Sequence, residues 1–156
     1  MTEADGDPPQ ARLCAAALSS LPHEVERPGY DRRKVRPGVV HLGIGAFHRA
    51  HQAVVFDDCL AAGAPDWGVV AASLRSPETR DALAPQDFLY TLALADGARR
   101  RLRVIGAVQD VIVAPEDPAR LIDALADPGI RIVTLTITEK GYLRRADGGL
   151  DFDHQD

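Results

Sequence analysis

Two closely spaced glycines, Gly43 and Gly45, lie between an apolar run and a helical pattern, and they constrain this chain more than any other feature. The run Val39–Leu42 predicts a buried strand, and residues 46–62 predict a helix that ends at Gly63. The first glycine permits a tight turn, and the second, which lacks a Cβ, lets the backbone approach a phosphate closely. The helix would point its first free N–H groups at the same phosphate. The pattern therefore predicts a turn that holds the pyrophosphate of a dinucleotide.

The residues around the glycines are more specific than the glycines themselves, because His48 replaces the third glycine of the usual fingerprint. Segment 43–52, Gly-Ile-Gly-Ala-Phe-His-Arg-Ala-His-Gln, resembles the opening motif of the mannitol dehydrogenase/fructuronate reductase family. The resemblance covers residues 13–142. Further stretches resemble the family in the same order along the chain, namely Tyr30-Asp31-Arg32, Asp66-Trp67-Gly68, Ser73-Leu74-Arg75-Ser76-Pro77, Ala84-Pro85-Gln86-Asp87 and Thr136-Ile137-Thr138-Glu139-Lys140-Gly141-Tyr142.

The resemblance implies a long-chain, metal-independent polyol or sugar-acid dehydrogenase. Such an enzyme transfers a hydride reversibly between NAD(P)(H) and a secondary alcohol, with mannonate/fructuronate or mannitol/fructose as the expected pairs. In this family the catalytic lysine comes from a later helical domain, and no residue here matches its lysine-asparagine-histidine constellation. We therefore expect no catalytic residue in this chain and no turnover by the chain alone. Lys140-Gly141-Tyr142 is closer to the fructuronate reductase branch.

The fold class that we expect is α/β, Rossmann-like, with a mostly parallel sheet and an inserted antiparallel hairpin. Residues 1–37 are expected to form a polar lead-in, either wrapped on the surface or a plain linker. Residues 38–156 would be the N-terminal part of a dinucleotide-binding domain that is incomplete, with the C-terminal substrate and catalytic domain absent. Helix 46–62 and the strands on either side of it would form a right-handed βαβ unit.

The remaining elements are predicted from apolar runs and turn residues. We expect a second strand at 67–73, a helix capped by Ser76 that ends near Pro85, and a hairpin of strands 88–94 and 101–108 joined through Asp96-Gly97. A helix that starts at Asp117-Pro118 would direct three apolar side chains inward, and a further parallel strand would follow at 130–137. The three inward side chains are those of Leu121, Ile122 and Leu125.

The expected cofactor is NAD, with NADP possible. The end of the second strand should meet the adenosine ribose, where NAD enzymes place an acid and NADP enzymes tend to place arginine. Arg75 would lie there and Glu78 is the nearest acid, so the choice of cofactor stays open, as does a plain solvated helix start. Arg49 could reach a phosphate or anchor the loop. The predicted cofactor-binding residues are Gly43, Ile44, Gly45, Ala46, Phe47, His48, Arg75, Glu78, Thr138 and Glu139, the last two beside the nicotinamide.

Several other functions are disfavoured. His41, His48 and His51 lack the Cys/His/Glu set of a zinc polyol dehydrogenase, so we expect no metal, and His41 is expected to be a hydrogen-bonded core residue. The net charge of −5 argues against nucleic acid, and no apolar run is long enough to span a membrane. Only two cysteines are present, which is typical of a cytoplasmic protein. The alternative function is a truncated or stand-alone nucleotide-binding module without catalytic activity.

Overall fold

The computed structural model of the chain describes residues 12–97, 99–137, 145 and 147–153. Within these residues, seven strands form two sheets, and three α-helices accompany them. The strands are β1 (Val25–Glu26), β2 (Pro37–Leu42), β3 (Gly68–Ser73), β4 (Tyr90–Asp96), β5 (Arg99–Ile105), β6 (Val108–Val113) and β7 (Ile132–Leu135). The helices are α1 (Ala53–Ala61), α2 (Glu78–Leu83) and α3 (Pro118–Ala126), with a π-helical turn at His48–Gln52 and 3₁₀ turns at Ala15–Ser20, Arg32–Lys34 and Ala84–Gln86.

The main sheet is parallel and has the strand order β6-β3-β2-β7. Its two central strands consist almost entirely of small and β-branched residues that are buried on both faces, as parallel strands require. Val39, for example, pairs with Val69 of β3 on one side and with Ile132 of β7 on the other. Both central strands lie within one or two residues of the predicted ranges, and the α/β, mostly parallel fold is confirmed.

The predicted βαβ unit is also confirmed. Helical residues begin at Ala46, pass through the π-helical turn and end with α1, after which Gly63 has a φ of +91°. Leu60 and Ala53 of α1 pack into the core beneath the parallel sheet. The helix therefore connects the glycine turn at its start to the buried centre of the domain.

The predicted hairpin exists, but its second strand ends at Ile105 instead of residue 108. Strands β4 and β5 pair antiparallel from Tyr90–Ile105 to Asp96–Arg99, and β1 adds to β5 in parallel. The chain then changes sheet at Gly106, where a Cβ would lie 2.8 Å from the ring of Pro28 and 3.0 Å from the hydroxyl of Tyr30. Val108 consequently belongs to β6, a separate parallel strand beside β3 that the sequence patterns did not predict.

Two predictions about helices need correction. Asp117 caps α3 as expected, accepting the N–H of Arg120 at 2.9 Å, but Ile122 is 64% exposed and Leu125 37% exposed. The apolar face of α3 is thus largely uncovered rather than inward. Helix α2 begins at Glu78 without a side-chain cap, because Pro77, whose ring has no hydrogen-bond acceptor, occupies the N-cap position in place of Ser76.

The lead-in is wrapped against the domain where it passes the hairpin. The guanidinium of Arg32 donates to the backbone oxygens of Gly106 and Val108, both at 3.0 Å, and to that of Asp87 at 2.8 Å. The division of the chain at residue 37 stays a prediction, but Arg32 and its neighbours are not a free linker.

The carboxylate of Asp57 in α1 is 2% exposed and joins three parts of the chain. It accepts the hydroxyl of Tyr30 from the lead-in, the backbone N–H of Gly106 at 2.9 Å and the guanidinium of Arg103 in β5 at 2.6 Å. A buried carboxylate is tolerated when its charge is paired and its lone pairs are used. Asp57 meets both conditions.

We predict that Asp57→Ala lowers the free energy of unfolding by about 3–5 kcal/mol, since the substitution leaves the largely buried Arg103 without its buried partner. Urea unfolding at pH 7 would measure the change. Asp58→Ala is the matched control, because Asp58 contacts the same guanidinium but is 59% exposed, and its loss should cost under about 1 kcal/mol. Equal losses in the two variants would contradict the role given to Asp57.

Strand β7 is an edge of the described sheet, and three of its side chains are 40–50% exposed although apolar: Ile132, Val133 and Leu135. Such an edge favours association between chains. We predict that the purified chain self-associates and that Val133→Lys shifts it toward monomer in size-exclusion chromatography with light scattering. Val55→Lys, at an exposed valine of α1, should change nothing. A wild-type chain that is monomeric at all concentrations would refute the prediction.

Candidate functional site

The glycine turn after β2 is held firmly at the carboxyl end of the sheet. Gly43 has a φ of +99°, a conformation that favours glycine. The N–H groups of Gly43 and Ile44 both donate to the carbonyl of Ala72 in β3, at 2.8 and 3.2 Å, and the N–H of Gly45 donates to the carbonyl of Gly43 at 2.7 Å. The turn is therefore fixed to the neighbouring strand before any ligand is bound.

Arg49 secures the same turn from the helix side. Its guanidinium donates to the carbonyl of Ile44 at 2.8 Å, and its N–H donates to the carbonyl of Gly45 at 3.1 Å. The Tyr90 hydroxyl in turn donates to the carbonyl of Arg49 at 2.8 Å. Of the two alternatives considered for Arg49, the structure shows the anchor of the loop.

A cleft of about 390 Å³ opens in front of the turn, at the carboxyl ends of β2 and β3 and just after β7. This edge is where open parallel sheets bind their ligands. The backbone N–H groups of Ala46, Phe47 and His48 precede the first helical donor, the N–H of Arg49, and none of them donates to another described residue. The residues that line the cleft are Gly43, Ile44, Gly45, Ser73, Leu74, Arg75, Ser76, Thr79 and Thr136.

The structure brings part of the predicted set together. Gly43, Ile44, Gly45 and Arg75 line the cleft, and Ala46 begins the helix beside it. Arg75 is exposed and makes no ion pair or hydrogen bond within the described residues, so its guanidinium is available to a ligand. Thr138 and Glu139 lie outside the described residues.

Three of the predicted residues lie elsewhere. Glu78 lines a neighbouring depression with Arg49 and Tyr90, not the cleft itself. The Phe47 ring is 56% exposed and packs on the ring of His51, with centroids 4.8 Å apart, so its side chain does not form the cleft floor. His48 is fully buried behind the turn. The side chains of these three residues do not line the cleft, although the backbone N–H groups of Phe47 and His48 lie at the start of the helix beside it.

Sequence reasoning missed several lining residues, notably Thr79 and Thr136. Thr79 follows Arg75 by four positions, and α2 brings it back toward the end of β3. Thr136 arrives from β7, which pairs with β2 only in the folded sheet. The hydroxyls beside Arg75 could have been suspected from the Ser-rich end of the strand, and Thr136 from its place near the end of the predicted strand 130–137, where it opens a stretch that resembles the family.

Two buried histidines form a stacked pair behind the turn. The rings of His41 and His48 lie 3.6 Å apart between centroids, at 12° to each other, and both residues are fully buried. Burial lowers the pKa of His48 to about 4 and also lowers the pKa of His41. Both rings are therefore neutral near pH 7. The expectation that His41 is a hydrogen-bonded core residue is confirmed by its contacts with Thr134 and Gly43.

Within the described residues no three His, Cys, Asp or Glu side chains are grouped so that they could hold a metal ion. Cys14 and Cys59 are both free thiols. Among the described helices none is long and apolar enough to cross a membrane.

The parallel sheet, the glycine turn and the cleft at its carboxyl edge define a dinucleotide-binding domain of the Rossmann type. Residues 37–151 match the family model described as the mannitol dehydrogenase Rossmann domain. The chain belongs to the mannitol dehydrogenase family, as the motif around the glycines indicated.

Individual relatives agree with this assignment. The chain is 46% identical over 139 residues to the mannitol 2-dehydrogenase of Cereibacter sphaeroides. The matched region covers 87% of this chain and 29% of that protein. It is 41% identical over 143 residues to a polyol:NADP oxidoreductase of Gluconobacter oxydans, and the matched region covers 88% of this chain and 29% of that protein. The chain thus spans about three-tenths of the length of the curated relatives that it matches.

Solved structures show the same fold. A substrate-free D-sorbitol dehydrogenase superposes with a TM-score of 0.82 at 37% identity, covering 92% of this chain and 31% of that one. The mannitol 2-dehydrogenase of Pseudomonas fluorescens, in a ternary complex with NAD and D-mannitol, also superposes with a TM-score of 0.82, at 42% identity. The superposition covers 90% of this chain and 30% of that one.

The depressed histidine pKa values predict that the domain loses stability in acid. Between an unfolded pKa near 6.5 and a folded pKa of about 4 for His48, the unfolded chain binds more protons, so the free energy of unfolding falls as the pH falls. We expect His48 alone to contribute a loss of about 2 kcal/mol between pH 7 and pH 5. In His48→Phe, which keeps a buried ring that cannot titrate, the fall should be smaller by that amount.

Urea unfolding at pH 7 and pH 5 would measure this difference. His23→Leu serves as the control, because the side chain of His23 is 91% exposed and should leave the pH dependence unchanged. An identical fall in the wild type and in His48→Phe would contradict the assignment.

Proposed function

We propose that this chain is the nicotinamide-dinucleotide-binding portion of a polyol or sugar-acid oxidoreductase. One observation carries the proposal: a pre-fixed glycine turn opens onto a cleft at the carboxyl edge of a parallel sheet, and the first N–H groups of the helix donate to no other described residue. Neither Gly43 nor Gly45 presents a Cβ to the cleft, so the backbone can approach a phosphate closely. Family membership supports the same conclusion.

The proposed cofactor-binding residues divide by role. The backbone of residues 43–48 (Gly43, Ile44, Gly45, Ala46, Phe47 and His48) would hold the pyrophosphate, and Arg75 would meet the adenosine half. Thr138 and Glu139 are proposed to flank the nicotinamide. Glu78 is the nearest acid for the ribose in the sequence, and it lines the neighbouring depression rather than the cleft.

NAD(H) is the proposed cofactor, and NADP(H) is the alternative. The Pseudomonas relative was solved with NAD, whereas the Gluconobacter relative is named for NADP, at nearly the same identity to this chain. Arg75 and the absence of a carboxylate among the described cleft residues favour the alternative, since NADP enzymes tend to place arginine at the ribose.

The proposed reaction of the longer protein is hydride transfer between the cofactor and a secondary alcohol, of the mannitol/fructose or mannonate/fructuronate type. The cofactor supplies the hydride chemistry when it is bound, and the residues of this chain bind and orient it. No described cleft residue has a side chain suited to general acid–base work at pH 7, and the family resemblance implies that the lysine that handles the proton comes from a later helical domain. The fructuronate reductase branch and a cytoplasmic location are proposed from the sequence alone.

The second candidate function is a nucleotide-binding module without catalytic activity. The observation that favours it is the same lack of an acid–base side chain among the described cleft residues. Oxidation of mannitol or mannonate by the pure chain, at any rate above a no-protein control, would exclude this candidate.

Titration of the purified chain with NADH and NADPH, followed by nicotinamide fluorescence, tests the proposal. We expect saturable binding by the wild type. Gly45→Asp should weaken binding at least tenfold (about 1.4 kcal/mol or more), because it sets a carboxylate against the pyrophosphate. Gly29→Asp is the matched control, since it adds the same charge at an exposed glycine of the lead-in with no atom within 4 Å of its Cβ position.

Two results would refute the proposal: no binding of either nucleotide by a folded wild-type chain, or equal binding by the wild type and Gly45→Asp. Thermal unfolding of each variant would show that it is folded under the conditions of the titration.

A further inference from the structure

The glycine turn is also held by a hydrogen bond from inside the sheet. The Nε2 atom of His41 lies 3.0 Å from the carbonyl oxygen of Gly43, and its Nδ1 atom lies 2.8 Å from the hydroxyl of Thr134 in β7. A carbonyl oxygen only accepts hydrogen bonds, so Nε2 must carry the proton of the neutral ring. Nδ1 is then the acceptor, and the Thr134 hydroxyl donates to it. These three groups form a directed chain from β7 through β2 to the turn.

The surroundings of the ring maintain this one tautomer. The hydroxyl of Thr136 lies 3.3 Å from Nε2 and can share its proton as a second acceptor. The ring of His41 stacks on the neutral ring of His48, whose Nδ1 is 3.0 Å from the side-chain oxygen of Gln52. The charge of Arg49 opposes protonation of His48. No acidic side chain among the described residues contacts either ring to favour a second proton.

The bond to Gly43 matters because the same carbonyl also accepts the N–H of Gly45. Its direction sets the orientation of the peptide plane between Gly43 and Ile44, and therefore of the backbone that faces the cleft. If His41 carried its proton on Nδ1 instead, the lone pair of Nε2 would oppose the carbonyl oxygen, and the turn would lose this support. A buried hydrogen bond to a backbone group at a ligand site is a means of pre-organisation.

We propose that His41 is a positioning residue of the dinucleotide site: the Thr134 hydroxyl fixes its Nε2–H tautomer, and that N–H orients the Gly43 carbonyl so that the turn is ready to receive a pyrophosphate. The proposal rests on the proposed function and adds a residue to it that does not touch the ligand. It also makes the site depend on the docking of β7, since Thr134 belongs to that strand.

Two substitutions at His41 separate its hydrogen bond from its burial. His41→Gln keeps an N–H donor at nearly the reach of Nε2, and His41→Leu fills the space without any donor. With NADH as the probe at pH 7.5, we expect the dissociation constant to rise at least tenfold in His41→Leu and by less than about threefold in His41→Gln, as the loss of one buried hydrogen bond implies. Thr134→Val should weaken binding by an intermediate factor, because the tautomer is then no longer fixed.

A merely structural role would lower the melting temperature of all three variants without this order of affinities, measured on the folded molecules at a temperature well below each transition. His23→Leu is the control and should bind as the wild type does, since His23 is an exposed residue of the lead-in. Equal dissociation constants for the wild type and His41→Leu would overturn the proposal.

A second measurement needs no variant. Long-range ¹H–¹⁵N spectra of the imidazole nitrogens at pH 7.5 report which nitrogen of His41 carries the proton, and we expect Nε2. Finding the Nδ1–H tautomer, or a mixture of the two, would overturn the proposal even if every variant failed to fold. A wild-type chain that shows the Nε2–H tautomer but binds neither NADH nor NADPH would instead refute the proposed function and, with it, the role of His41 in binding.

Discussion

The buried ion pair of Asp57 with Arg103 is the interaction on which the arrangement of the whole domain depends. A carboxylate with 2% exposure in the middle of α1 is unfavourable unless its charge and lone pairs are satisfied, and here the partners come from distant segments. The lead-in supplies Tyr30 and the junction between the two sheets supplies Gly106. Helix α1 can therefore lie in its place only when the lead-in and the hairpin lie in theirs. Because the glycine turn begins that helix, the site inherits the same dependence.

The site itself shows how a small parallel sheet prepares a ligand-binding edge in advance. The backbone of the turn is held by β3 through Ala72, by the helix through Arg49 and by the interior of β2 through His41. None of these contacts uses the N–H groups at the start of the helix, which stay available. A dinucleotide would then bind with little further ordering of the turn, and the cost of ordering is one of the main terms that oppose binding.

The parts of the fold that were predictable from the sequence are those with a local cause. The apolar runs of β2 and β3, the stop at Gly63 and the cap at Asp117 each follow from a few neighbouring residues. Strand β6 was missed because the change of sheet at Gly106 depends on Pro28 and Tyr30, nearly eighty residues earlier in the chain. The face of α3 was placed inward because periodicity shows which side is apolar, whereas it does not show what covers that side.

The same distinction explains what was found and missed at the site. The glycines and Arg75 stand where strand ends must meet a ligand, so their positions followed from the strand pattern. Glu78 lines the neighbouring depression with Arg49 and not the cleft, whereas the next residue, Thr79, lines both, so closeness in sequence did not decide which side chain reaches the cleft. The stacking of His41 on His48 could not be read from a separation of seven residues, since it requires the chain to reverse through Gly43. His41 in the central strand and His48 in place of the third glycine thus form one stacked pair behind the turn. The missing glycine is replaced by a residue whose backbone N–H lies at the start of the helix and whose ring stacks on His41, the residue that bonds the turn from behind.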